Sequence, residues 1–186
     1  MRRRRRIDRA RLEVARWWRA RTAPARLGFG TLLVVLFWAA DLGQLSVLGF
    51  DVPWPIGLLL AAMGWARVGL AMRPMATLVG LSFLFDLGAN APFGSYMLVA
   101  LSTYGVHAAA EAALDLDYDP LLKTLLPFVS LCVGLLALWG LASVATGHIV
   151  QLTPLVISGG ATALAYAALA PVFHLRGRPG AALGGA

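Results

Sequence analysis

Residues 73–94, RPMATLVGLSFLFDLGANAPFG, decide how this chain is read. The stretch enters through Arg73-Pro74, runs through an apolar segment carrying one carboxylate at Asp86, and leaves through Pro92-Phe93-Gly94. A residue before proline is pushed out of the helical region, so Arg73-Pro74 predicts a helix break. Pro-x-Gly predicts a tight turn. Ser82, Asp86 and Asn90 recur at helical spacing, which puts a polar stripe on one face. A lone charge in an apolar span costs at least roughly 2.5–3.5 kcal/mol on insertion scales, so Asp86 must be committed to something.

The surrounding sequence places that stretch in a membrane. The chain has 186 residues, 59% hydrophobic and 13% charged, with a mean hydropathy of +0.74. So little polar surface cannot cover a soluble domain. Apolar runs recur at 28–50, 53–71, 75–91, 94–110, 121–145 and 152–175. Each is near the roughly 17–25 residues that cross the hydrocarbon core as a helix. Alternating ten-residue strand patterns are absent, which argues against a barrel. The expected fold is therefore all-α, a polytopic membrane protein with six transmembrane helices. Its parts are a basic segment at 1–26, a transmembrane domain at 27–176 and a disordered Gly/Ala-rich tail at 177–186.

Charge gives the orientation. Eleven of the sixteen Lys and Arg lie in residues 1–26, opposed only by Asp8 and Glu13, a net of 11 − 2 = +9. With the N-terminus cytoplasmic, Arg67, Arg73, Lys123, Arg176 and Arg178 also fall on or near the inner face. The outer turns near Asp51, Asn90–Ser95 and Thr146–Gln151 hold no Lys or Arg. That is the positive-inside pattern, and it predicts both termini in the cytoplasm. The basic pI of about 10.7 is then juxtamembrane charge meeting anionic lipid, not a nucleic-acid surface. Ile7, Ala10, Val14, Trp17, Trp18 and Arg21 fit a short interfacial helix within the basic segment. That segment is too long for a signal peptide, and no cleavage site follows it.

Loops this short leave activity to the bundle interior, its flanks or the terminal segments. Asp41, Arg67 and Asp86 are the intramembrane ionisable candidates. For Asp86 two readings stand. One is a hydrogen-bonded carboxyl that fastens helices through Ser82, Asn90 or Gln44, in which case an amide would replace it silently. The other is a proton- or ligand-binding carboxylate. Asp41, one helical turn before Gln44, carries the same pair of readings. Arg67 lies near an inner helix end, with Glu111, Asp115 or lipid phosphate as its partner. His107, His148 and His174 fall at different depths, so no metal site is expected. Cys132 is single and mid-span, which excludes a disulfide within the chain. Ser95 and His107 are the residue types of an intramembrane serine protease dyad, but they lie most of a helix apart on one span, so the dyad fails geometrically. Catalytic, cofactor and metal residues are all expected to be absent. Small residues at Gly159, Ala163 and Ala167, and at Ala76, Gly80 and Gly88, predict faces for close helix approach.

The 73–94 stretch resembles the rod shape-determining protein MreD family. The residues that carry the likeness are Arg73-Pro74, Gly80, Asp86-Leu87 and Pro92-Phe93-Gly94, with Pro53–Trp65 upstream and the Tyr104 region downstream. Two details depart from the family pattern: Phe83-Leu84-Phe85 precedes Asp86 where a Gly is common, and Phe93 replaces Leu in the turn. The resemblance implies a non-enzymatic inner-membrane subunit of the bacterial cell-elongation machinery. It also implies association with MreC, and action alongside MreB, RodA and a class B transpeptidase in peptidoglycan synthesis. Asp86, Asp41, Arg67, Arg73, Pro74, Asn90, Pro92 and Gly94 are then the structural or functional candidates. The family's bundle is similar to the substrate-binding subunits of energy-coupling-factor transporters, which supplies the alternative of a vitamin or small-molecule uptake subunit. Trp38, Asp41, Phe85, Asp86, Asn90 and Tyr96 would line its outward pocket.

Overall fold

The computed structural model describes residues 21–42, 46–47, 50–51, 55–66, 71–89, 91–114 and 120–175. The described residues are all-helical apart from one short hairpin. Helix α1 (Ala23–Leu42) is followed by strands β1 (Ser46–Val47) and β2 (Phe50–Asp51). Next come α2 (Gly57–Ala66), α3 (Met72–Gly88), α4 (Ser95–Ala113), α5 (Pro120–Thr146) and α6 (Leu152–Phe173). The strands are antiparallel, with Ser46 opposite Asp51 and Val47 opposite Phe50. The first apolar run, 28–50, is therefore a helix that stops at Leu42 and a hairpin beyond it.

Among the described residues, three helices are long and apolar enough to cross a membrane: α1, α5 from Thr124 to Thr146, and α6. Run 53–71 is different. Its helix, α2, has ten residues, roughly 15 Å, about half the hydrocarbon thickness. Every one of those residues is buried. α2 touches all five other helices and is the axis of the bundle. GLLLAAMGWA has no polar face because it has no outward face; a helix apolar all round is one buried all round.

Two small residues set how closely the neighbours approach. A Cβ on Gly64 would run into the Phe173 side chain, so the end of α6 lies directly on α2. A Cβ on Gly134 would sit 2.5 Å from Thr103 Oγ1, so α5 crosses α4 at van der Waals distance. Beyond these contacts, Leu58, Leu59, Leu60, Met63, Trp65 and Tyr104 fill the core.

Helix termini are held by side chains from other helices. Thr162 of α6 accepts the Ile56 N–H at 2.9 Å, just ahead of α2. Tyr104 Oη of α4 accepts the Ala71 N–H at 3.1 Å, at the start of α3. Arg26 of α1 is buried and donates to the His174 carbonyl at 3.4 Å, just past α6. A cation at a helix C-terminus also meets the favourable end of the helix dipole. Arg26, counted above with the basic segment, thus belongs to the bundle, because α1 already begins at Ala23.

Candidate functional site

Arg73-Pro74 does not break a helix. α3 starts at Met72, and Pro74 lies buried in its first turn, where a missing N–H costs no internal bond. The Arg73 side chain is exposed and its carbonyl accepts the Thr77 hydroxyl at 2.9 Å. From there α3 runs to Gly88, carrying Asp86 into its last turn.

Asp86 is buried, and both its oxygens are occupied. Oδ2 accepts the Gly94 N–H at 2.7 Å and Oδ1 accepts the Tyr96 N–H at 2.9 Å. The intervening Ser95 N–H donates to the Pro92 carbonyl at 3.0 Å. Gly94 has φ 88° and ψ −3°, the values of the third residue of a type II turn, which a residue with a Cβ adopts only under strain. Pro92-Phe93-Gly94 is therefore the expected turn, and its register is fixed by the carboxylate that precedes it. Asp86 caps the N-terminus of α4 from another helix, where exposed N–H groups and the helix dipole both favour an anion.

Asp86 links α3 to the start of α4, through partners other than the Ser82, Asn90 or Gln44 named from the sequence. Ser82 is buried and its hydroxyl donates back to the Leu78 carbonyl at 2.7 Å. Gln44 and Asn90 lie outside the described residues, as do Arg67, Asp115, residues 1–20 with the expected interfacial helix, and the tail from 176 to 186. The partners are main-chain donors, which changes what an amide in this place would do.

The aromatics named for a pocket pack on one another instead. Trp38 stacks on Phe85 with centroids 5.3 Å apart, and Phe85 meets Tyr96 at 5.6 Å. Trp38 also occupies the space a side chain at Gly88 would need. Asp41 is exposed, at the last turn of α1. Phe93 and Phe83 pack edge-to-face at 4.9 Å on the surface.

One pairing has no precedent in the sequence reading. His107 and Ser130, both fully buried, meet at 3.0 Å between Nδ1 and Oγ. Ser130 Oγ also donates to the Leu126 carbonyl at 2.9 Å. The contact joins α4 to α5, with the donor between the two set by the imidazole tautomer. Its two members are 23 positions apart on different helices, and only helix register could have joined them. Among the described residues no three His, Cys, Asp or Glu gather in a way that could hold a metal. Cys132 is exposed on α5.

Small-residue faces divide. Gly88 packs on Trp38, whereas Gly80 meets open space and Ala76 is exposed. At about 100° per residue, Gly88 has rotated roughly 120° from Ala76. Gly159 lies under Leu135, while Ala163 and Ala167 line a cavity.

No family model matches the chain, and no curated protein or solved structure matches it.

Proposed function

We propose that this protein is a non-catalytic scaffold of the bacterial cell-elongation machinery, an MreD-like subunit that binds MreC. In this reading it is a six-span protein of the inner membrane with both termini cytoplasmic. What carries the reading is the 73–94 stretch: its polar chemistry is spent on shape. Asp86 welds the end of α3 to the start of α4 through Gly94 and Tyr96, presenting a rigid corner. Exposed Phe83, Leu84, Leu87 and Phe93 decorate that corner, and a rigid apolar corner suits a partner's membrane-proximal segment. RodA, a class B transpeptidase and MreB would be reached through that assembly.

The test is affinity capture of the full chain from solubilised membranes, combined with depletion. MreC should co-purify, and depleted rod-shaped cells should round up. Capture of an ATP-binding-cassette module, with loss of uptake of one vitamin and unchanged shape, would replace this reading with the transporter alternative.

A further inference from the structure

We draw no further inference here: the strongest candidate, the apolar cavity between α5 and α6 lined by Thr124, Phe128, Tyr166 and Ala167, carries nothing because nothing in the structure shows what covers it.

Discussion

A buried carboxylate accepting two main-chain N–H groups tolerates few replacements, and Asp86 is such a residue. An amide supplies one acceptor oxygen, and its NH₂ would face a second N–H. Leaving one buried donor unmet costs about 1–3 kcal/mol. Asp86→Asn should therefore lower stability by that amount, contrary to the silent outcome that side-chain partners would have given. Asp86→Leu orphans both donors, for roughly 2–6 kcal/mol on the same scale. Thermal unfolding in detergent, read alongside membrane abundance, checks both; a wild-type melting curve for Asp86→Asn would contradict the cap. Gly94→Ala should cost roughly 1–2 kcal/mol, because the left-handed turn brings its new Cβ against the following carbonyl. The sequence showed that Asp86 had to be committed, since an uncommitted charge there is too costly. It could not show the partners, because any residue can supply a backbone N–H and only the fold-back of the turn selects which. Arg26 was hidden for another reason: eleven basic residues in one segment read as a single charge, and one of them is a buried clasp.

Among the elements, α2 and α3 carry the sharpest consequences. An apolar run of this length reads equally as a membrane span or a buried core helix, and periodicity cannot separate them. Within its described ten residues α2 is buried on every side. In a Cys132→Ala background, cysteines at Leu59, Leu60 or Ala61 should resist a membrane-permeant maleimide in the folded protein. Cysteines at Leu36 and Leu164, both exposed, should label. Equal labelling of both sets would mean that α2 has a lipid face. On α3 the two glycines should respond in opposite ways. Gly88→Leu drives a side chain into Trp38 and should remove most folded protein, as overpacking costs about 1–3 kcal/mol or more. Gly80→Leu points into open space and should accumulate normally. If the α3 surface binds a partner, that same Gly80→Leu should weaken co-purification while leaving the melting temperature unchanged. The sequence offered Ala76, Gly80 and Gly88 as one face; helical drift over twelve residues is what divides them.

For the molecule as a whole, the bundle's polar groups serve its own backbone. Asp86, Tyr104, Thr162 and Arg26 each hold a helix end belonging to another helix, and His107 with Ser130 joins two more. In a nonpolar surrounding an unmet backbone group costs several kcal/mol, so spending side chains this way is what lets short helices end inside the bundle. Helix number and approximate position could be read from hydropathy, because the cost of exposing polar backbone leaves few alternatives. Depth could not, since α2 and α3 are too short for length alone to say where they stop. Charge supplies the missing constraint and gives a prediction for the entire chain. Strand β2 and the connections Ala89–Ser95 and Thr146–Gln151 carry no Lys or Arg, whereas Arg21, Arg26, Arg73 and Lys123 lie at or near the starts of α1, α3 and α5. Reporter fusions after Phe50, Asn90 and Gly147 should therefore all report the periplasm, and fusions after Arg73 and Asp117 the cytoplasm. The decisive position is Asn90. A cytoplasmic signal there would put α3 and α4 on one side as a re-entrant pair, leaving four of the six proposed spans. The Asp86 cap would survive such a result, because it depends only on the turn. The rigid corner would then face the cytoplasm, and a partner binding it from the periplasm would be ruled out.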